Sequence, residues 1–182
     1  LGLPGLLQTM SLSDRKEKLF VAVPRTLKEQ LLSMLSSGIV KPRFEVEVAE
    51  LSAGFTYSDE KVQVRAFTVE HTTESHGFWI AIGKKTLCYT GDTAPCKSVV
   101  ENCRNVDILI HDATFTHLYS EEAKEQGHST AYEAAKVALE AGAKSLVLFH
   151  ISARHSAEEV FFDAYRLFKN TIVARDGLQL LL

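Results

Sequence analysis

Four predicted strands, three of them mostly apolar and one that at first alternates apolar with polar residues, are each followed, within three residues, by a side chain that can bind a metal or carry a proton. The four strands and the residues that follow them are 61–70 with His71, 86–89 with Asp92, 106–110 with Asp112, and 145–149 with His150. Strands of this kind are buried in a sheet that helices cover, and the loops at the strand ends form the site. The sequence therefore predicts an α/β (α+β) fold with its chemistry at one edge of a sheet.

Local signals predict the helices and the remaining strands. Capping boxes, in which a Ser or Thr is followed three residues later by Glu, stand at Thr26–Glu29, Thr130–Glu133 and Ser156–Glu159, and each predicts a helix start. Gly38 and Gly142 predict two helix ends. Further helices are expected over residues 1–10, 95–102 and 120–126, and further strands over residues 19–23, 44–48, 77–82, 171–174 and 178–182.

The totals fit one globular domain over residues 1–182. A net charge of −3 and the absence of a dense Lys/Arg block argue against a generic nucleic-acid binder. No apolar run is long enough to span a membrane, and no signal peptide is visible. Three cysteines without CxxC spacing, Cys88, Cys96 and Cys103, favour a reducing compartment and buried or half-buried thiols.

One carboxylate and separated histidines at sheet edges are the side chains from which hydrolytic metal sites are built. Imidazole nitrogens and carboxylate oxygens bind Zn²⁺, so His71, Asp92 and His150 are candidate ligands. Asp92 has two oxygens and can bridge two ions, an arrangement that suits phosphodiester cleavage. The alternatives are a plain Gly-Asp-Thr turn at Asp92 and hydrogen-bonded structural histidines. Three ligands are too few for two ions, so others would come from a preceding segment or another chain.

Asp112 and His128 are a candidate proton-donating pair. His128 precedes a predicted helix, whose dipole disfavours imidazolium, and a nearby carboxylate from Asp112 would offset that effect. The alternative places His128 in the helix cap. Arg154 could grip a phosphate oxygen, or it could form a surface ion pair. The remaining histidines, His76, His117 and His155, are expected not to be ligands, with His155 exposed.

Six segments, in order along the chain, resemble the ribonuclease Z branch of the metallo-β-lactamase superfamily. They are residues 2–7 (GLPGLL), 71–78 (HTTESHGF), 91–93 (GDT), 111–115 (HDATF), 127–130 (GHST) and 149–154 (FHISAR). The first resembles the segment that follows the family's H-x-H-x-D-H motif. The others are similar to its third-motif histidine, its metal-bridging aspartate, and its H-E-A-T-F, H-S-T and T-H-I-S-S-R motifs.

This resemblance implies a metallo-β-lactamase-like four-layer αβ/βα sandwich, here N-terminally incomplete and comprising about the C-terminal two-thirds. It implies a cytoplasmic homodimer with two Zn²⁺ per site that removes 3′ trailers from precursor tRNA. Mn²⁺ also suits a His/Asp site. By resemblance, His71, Asp92 and His150 are metal ligands, Asp112 with His128 is the proton donor, and Ser152 and Arg154 lie near the phosphate.

Three departures from the family pattern affect the functional prediction. The H-x-H-x-D-H motif is absent from these 182 residues, so we expect them to be inactive alone. Asp112 replaces a glutamate, which shortens the reach to His128 by one methylene. Residues 82–86 form a simple turn where many ribonucleases Z insert a long tRNA-gripping arm. The alternatives are therefore a hydrolase of another phosphodiester or ester, and a non-catalytic scaffold subunit of the same fold.

Overall fold

The structure is a computed structural model that describes residues 2–180. The chain divides into two compact units, residues 2–52 and residues 53–180. The prediction of one domain over residues 1–182 stays a prediction. Among the described residues, no helix combines the length and apolar character that crossing a bilayer requires.

The first unit pairs two helices with a small parallel sheet. Its elements are α1 (Gly2–Leu12), β1 (Leu19–Pro24), α2 (Arg25–Ser36) and β2 (Val46–Leu51). β1 and β2 pair in parallel, and Leu7, Val40 and Phe44 form the core of this unit. The predicted capping box at Thr26 is wrong, because α2 begins at Arg25 directly after β1 and no side chain caps it.

The second unit is a seven-stranded sheet with helices between and after its later strands. Its elements are β3 (Thr56–Ser58), β4 (Val62–Thr68), β5 (His76–Ile82), β6 (Lys85–Tyr89), α3 (Lys97–Asn102), β7 (Ile108–Asp112), a 3₁₀ turn (His117–Tyr119), α4 (Ser120–Gln126), α5 (Ala131–Ala141), β8 (Ser145–Phe149), α6 (Ala157–Tyr165) and β9 (Thr171–Val173). The strands lie in numerical order from β3 to β9.

The direction of the strands brings the polar strand ends together. β6, β7, β8 and β9 are parallel neighbours, so the segments that follow them lie at one edge of the sheet. β4 is antiparallel to β5, and β5 is antiparallel to β6, so β4 points the same way as β6. The residues after β4, β6 and β8, including His71, Asp92 and His150, therefore share that edge with Asp112 at the end of β7.

Two of the predicted capping boxes are confirmed. The Thr130 hydroxyl accepts a hydrogen bond from the Glu133 backbone N–H, and the Glu133 carboxylate accepts one from the Thr130 backbone N–H. The same reciprocal pair forms between Ser156 and Glu159 at the start of α6. Gly142 ends α5 in the left-handed conformation. Buried alanines on α5 let this helix pack closely on the sheet.

Other predictions were wrong. Cys88 and Cys103 are buried and joined in a disulfide, so the prediction of thiols holds only for the half-buried Cys96. The edge strand β3 was not predicted, because all three of its residues are exposed and carry no apolar alternation. The predicted strand over residues 178–182 is not formed at residues 178–180, and its last two residues lie outside the described part of the chain.

Candidate active site

The carboxylate of Asp112 is buried at the end of β7 and accepts four hydrogen bonds. Its Oδ1 accepts from the backbone N–H of Thr114 at 2.9 Å and from the Thr114 hydroxyl at 2.7 Å. Its Oδ2 accepts from the backbone N–H of Thr93 at 3.0 Å and from Nδ1 of His128 at 2.6 Å. Four donors fill the lone-pair positions of one carboxylate. Asp112 is thus a fixed support for His128.

His128 lies between two other histidines. Its ring stacks on the ring of His150, with centroids 5.0 Å apart, and is tilted against the ring of His71 at 4.9 Å. Because Nδ1 donates to Asp112, Nε2 is the ring atom that faces away from this support. His128 also lies two residues before Thr130, the actual N-cap of α5. The alternative that His128 caps the helix is therefore wrong.

His71 is oriented by the backbone of Gly127. Nδ1 of His71 lies 2.8 Å from the Gly127 carbonyl oxygen, which can only accept, so Nδ1 carries the proton and Nε2 keeps its lone pair. Metal-binding histidines are commonly oriented by such a bond. Gly127 has φ +72°, and a Cβ there would lie 2.8 Å from the Thr72 backbone nitrogen and 3.0 Å from Nδ1 of His71. Only glycine fits this close approach without movement.

A threonine hydroxyl fixes the tautomer of His150. Nδ1 of His150 lies 2.8 Å from Oγ1 of Thr114, and that hydroxyl already donates its proton to Asp112. The hydroxyl must therefore accept from Nδ1 of His150, so Nε2 of His150 keeps its lone pair. This relay through Thr114 was missed from the sequence, although Thr114 lies in the HDATF segment.

Nε2 of His150 faces the carboxylate of Asp92. The distance from Nε2 to Oδ2 of Asp92 is 3.5 Å, and the two side chains are 42% and 39% exposed. The turn that carries Asp92 is held by a hydrogen bond from the Ser75 hydroxyl to the Asp92 backbone carbonyl. In residues 2–180 no N–H or O–H group donates a short hydrogen bond to the Asp92 carboxylate. The carboxylate oxygens of Asp92 and the Nε2 atom of His150 therefore face each other, and each keeps a lone pair that could bind a metal.

Two overlapping groups of residues could hold a metal. Ligand atoms of Asp112, His128 and His150 all lie within 4.8 Å of one another. The oxygens of Asp112 are filled by four donors, however, which leaves this carboxylate poorly suited to bind an ion. His71, Asp92 and His150 have the free lone pairs that neutral imidazole and carboxylate ligands use for zinc. Their donor chemistry fits the ion, and the ligand set stays a prediction.

Arg154 is engaged by a carboxylate from α4. Its guanidinium donates from Nη2 to Oε1 of Glu122 at 2.9 Å and from Nη1 to Oε2 at 3.4 Å. It also lies over the rings of Phe115 and Tyr119, at 5.2 and 5.8 Å from their centroids. Hydrogen bonding to Arg154 lowers the pKa of Glu122 and raises the pKa of Arg154. The ion-pair alternative for Arg154 is therefore the arrangement present in this structure.

Ser152, the other predicted phosphate-contacting residue, lies beside Arg154. Its hydroxyl oxygen is 3.5 Å from Nε and 3.4 Å from the backbone nitrogen of Arg154. Its backbone N–H donates to the Thr114 carbonyl at 3.1 Å, which ties this loop to the residues after β7. The structure therefore brings Ser152 to the same group of segments as Asp112 and His150.

The other histidines contact different partners. His111 is fully buried, its Nδ1 lies 2.8 Å from the Asp112 carbonyl oxygen, and burial lowers its pKa. His117 is paired with the buried Asp163, and Nε2 of His76 is 3.9 Å from Glu74. His155 was predicted to be exposed, which is wrong, because its Nε2 is buried and its ring lies 5.0 Å from that of Tyr119, as measured between centroids.

Comparisons with known proteins show the family to which this chain belongs. A family model described as a beta-lactamase superfamily domain matches residues 2–151. Ribonuclease Z from Sulfurisphaera tokodaii is 34% identical over 222 aligned positions, which cover 96% of this chain and 73% of that protein. Ribonuclease Z from Methanosarcina acetivorans is 33% identical, with 99% of this chain and 76% of that protein covered.

Two solved structures have the same fold. The metallo-beta-lactamase fold protein YhfI from Bacillus subtilis matches with a TM-score of 0.81 and 20% identity, over 96% of this chain and 70% of that chain. The short form of human tRNase Z matches with a TM-score of 0.76 and 27% identity, over 97% of this chain and 72% of that chain. These matches confirm the predicted metallo-β-lactamase fold.

Proposed function

Since this chain belongs to the ribonuclease Z branch of the metallo-β-lactamase superfamily, we propose that the protein is a metal-dependent endoribonuclease that removes 3′ trailers from precursor tRNA. Relatives named ribonuclease Z at 34% and 33% identity support this proposal. The observation that carries it is the joint position of His71, Asp92, Asp112, His128 and His150 at one edge of the sheet.

The proposed ligands are Nε2 of His71, the carboxylate of Asp92 and Nε2 of His150, with Zn²⁺ as the proposed ion and two ions per site. When bound, such ions activate water and neutralise charge that develops on a phosphodiester. The chain contributes ligand orientation. The Gly127 carbonyl fixes the ring of His71, and the Thr114 hydroxyl fixes that of His150. The further ligands are proposed to come from an H-x-H-x-D-H motif outside these 182 residues.

Asp112 and His128 are the proposed proton donor. The 2.6 Å bond from Nδ1 of His128 to Asp112 fixes the ring and turns its Nε2 away from the carboxylate. Nε2 then carries the proton that the leaving 3′ oxygen takes up as the phosphorus–oxygen bond breaks. Asp112 needs no extra methylene to reach His128, because the short side chain already makes this bond. The substitution of aspartate for the family's glutamate therefore does not argue against the donor role.

Arg154 and Ser152 are the proposed phosphate contacts. A guanidinium has five N–H donors, and Glu122 engages only the two terminal nitrogens of Arg154, each of which has a second hydrogen. The rings of Phe115 and Tyr119 hold its plane. Arg154 can thus keep its ion pair and still donate to a phosphate oxygen.

A second candidate substrate is a phosphodiester other than precursor tRNA. Strands β5 and β6 are joined by the two residues Gly83 and Lys84, where many ribonucleases Z insert the arm that grips tRNA. The 222-position alignment with the Sulfurisphaera tokodaii protein is 40 positions longer than this 182-residue chain. The relative therefore has residues with no counterpart here. The short connection between β5 and β6 is the observation that favours a different grip or a smaller substrate.

Homodimerisation and a cytoplasmic location are also part of the proposal, and the ribonuclease Z resemblance supports both. The buried disulfide between Cys88 and Cys103 is more typical of oxidising compartments. Counting free thiols in the purified protein under denaturing conditions separates the two cases. One free thiol per chain, that of Cys96, is expected if the disulfide is present, and three are expected if the protein stays reduced in a cytoplasm.

The test uses the full-length protein with Zn²⁺ on a precursor tRNA that carries a 3′ trailer. Cleavage at the trailer junction, abolished in Asp92→Ala, is the expected result. Hydrolysis of bis(p-nitrophenyl) phosphate without any cleavage of the precursor would favour the second candidate. No hydrolysis of either substrate by protein with its full metal content would contradict both enzymatic proposals and favour the scaffold alternative.

A further inference from the structure

A cleft of about 410 Å³ opens beside His150, on the side where β8 and β9 end. It is lined by Phe149, His150, Ile151, Ala174, Arg175 and Asp176. β9 is parallel to β8, so residues 174–176 lie at the same sheet edge as His150. A hydrogen bond from the Ala174 N–H to the Leu148 carbonyl at 2.8 Å extends this alignment past the end of β9. The cleft therefore adjoins the candidate metal site.

Phe149 gives the cleft an aromatic wall that neighbouring rings hold in place. Its ring contacts the ring of Tyr89, with centroids 4.9 Å apart, and meets that of His150 edge-on at 6.1 Å. The side chain is half-buried, so part of it faces the cleft. Aromatic side chains stack on nucleobases of any sequence because every base has a π face.

Arg175 gives the cleft a free cation. Its side chain is exposed, and among residues 2–180 no carboxylate is close enough to form an ion pair with its guanidinium. Arg154, by contrast, is already paired with Glu122. A turn closed by the Leu178 N–H on the Arg175 carbonyl positions Arg175 at the cleft. An unpaired guanidinium near a phosphodiester-cleaving site can bind a flanking phosphate.

Asp176 adds a carboxylate to the lining of the cleft, outside ion-pair distance of the Arg175 guanidinium. The cleft thus offers a ligand one cation and one hydrogen-bond acceptor at separate positions. A ribonucleotide makes use of both charges, because its phosphate pairs with arginine and its ribose hydroxyls donate to a carboxylate. The 2′-hydroxyl is also the group by which a protein distinguishes RNA from DNA.

We infer that this cleft is a ribonucleotide subsite beside the scissile phosphate, with Phe149 against the base, Arg175 on the flanking phosphate and Asp176 on the ribose 2′-hydroxyl. The inference rests on the proposed ribonuclease function and adds to it the residues that select ribose over deoxyribose. It assigns Arg175 to binding rather than to bond cleavage. Asp176 is assigned to sugar discrimination.

The first experiment measures kcat and KM of the full-length zinc protein on an RNA substrate and on bis(p-nitrophenyl) phosphate, which has no sugar. Loss of one charged phosphate contact in Arg175→Ala is expected to raise KM for RNA by about tenfold with kcat little changed. The small ester should be cleaved as before. The matched control is Arg104→Ala, an exposed arginine before β7, at the opposite end of the strands.

An unchanged KM for RNA in Arg175→Ala, or the same rise in Arg104→Ala, would overturn the subsite. For Asp176→Asn, the expected change is a reduced preference for RNA over an otherwise identical substrate with 2′-deoxyribose at the nucleotides flanking the cleavage position. An unchanged preference of Asp176→Asn for RNA over the 2′-deoxy substrate would also overturn the subsite.

Binding measurements separate failure of the subsite from failure of the proposed function. Adenosine 5′-monophosphate is expected to bind the wild-type protein more tightly than its 2′-deoxy counterpart, and Asp176→Asn is expected to remove the difference. Equal binding of the two nucleotides to the wild-type protein would overturn the subsite. Ribose preference in binding without cleavage of precursor tRNA would contradict the proposed function and leave the subsite supported.

Discussion

Nδ1 of His128 lies 2.6 Å from Oδ2 of Asp112, and three further donors from Thr93 and Thr114 hold the same carboxylate. The carboxylate thus has a support of its own that does not depend on His128. This arrangement makes Asp112 and His128 one unit in which the first residue orients the second.

The first prediction concerns this pair. His128→Ala is expected to slow turnover by about 10²–10⁴-fold, the usual contribution of a general acid, with zinc content unchanged. Asp112→Asn should slow turnover nearly as much, and the double variant should be little worse than either single one. Asp112→Asn should also lower the free energy of unfolding by about 1–3 kcal/mol, because its amide would meet N–H donors.

Rates on a precursor RNA and on an ester with a good leaving group, measured beside metal content, test this prediction. A good leaving group departs without taking up a proton, so the variants should hydrolyse this ester at nearly the wild-type rate. Zinc loss in both single variants, or effects that simply multiply in the double variant, would place these residues in the support of the metals instead.

The second prediction concerns Asp92. Asp92→Ala is expected to lower the bound metal per chain and abolish turnover, while the melting temperature of the metal-free protein stays near the wild-type value. The reason is that the carboxylate faces Nε2 of His150 at 3.5 Å and is 39% exposed. Metal analysis and hydrolysis rates check this. Normal stoichiometry with a normal rate would show that Asp92 is only a turn residue.

The third prediction compares two histidines in the same segment. His71→Ala is expected to weaken metal binding, because the bond from Nδ1 to the Gly127 carbonyl leaves the lone pair of Nε2 available for a metal. His76→Ala should leave metal binding nearly unchanged, because His76 is buried in β5 near Glu74. Titration of the metal-free variants with Zn²⁺ measures both. A larger loss in His76→Ala would reverse the assignment.

The fourth prediction concerns Gly127. Gly127→Ala should displace His71, because the new Cβ would lie 2.8 Å from the Thr72 backbone nitrogen. Disturbing a residue that orients a ligand typically costs about 10- to 100-fold in metal affinity. Gly54→Ala is the matched control, since Gly54 has φ +83° with no atom within 4 Å of a Cβ. Equal metal affinities in the two variants would mean that the contact with His71 does not matter.

The fifth prediction concerns pH. Hydrogen bonds from Lys144 and from the Thr86 backbone N–H hold the pKa of Asp107 at about 2, below the ordinary 3.8. A lowered pKa in the folded state adds stability that is full above about pH 4 and is lost as the pH falls toward 2. Asp107→Asn should therefore have a lower free energy of unfolding than wild type at pH 7. Between pH 4 and 2 its free energy of unfolding should fall by less than that of the wild type.

Urea unfolding of both proteins at several pH values measures this difference. Wild-type and Asp107→Asn stabilities should approach each other as the pH falls. Parallel stability curves down to pH 2 would contradict the assigned role of Asp107. Added salt should reduce the difference at pH 7, because Lys144 is largely exposed.

Motif order was enough to predict which side chains gather at the site. His71, Asp92, Asp112, His128 and His150 lie together as the ribonuclease Z resemblance implied. The contact between Asp112 and His128 was predicted, whereas the other donors to the Asp112 carboxylate were not. Thr93 and Asp112, for example, are 19 residues apart and meet only when β6 and β7 pair.

The sequence by itself determined elements whose signals are local. Residues 120–126 and 145–149 form a helix and a strand over the predicted ranges, and the capping boxes at Thr130 and Ser156 form as predicted. These features depend on contacts between residues that are at most about four positions apart, so the local sequence is enough to specify them. The tertiary structure alone decided that Glu122 engages Arg154, that Cys88 bonds Cys103 and that Thr114 joins Asp112 to His150. Glu122 and Arg154 are 32 residues apart, and their distance is set by how packed strands and helices place them in space.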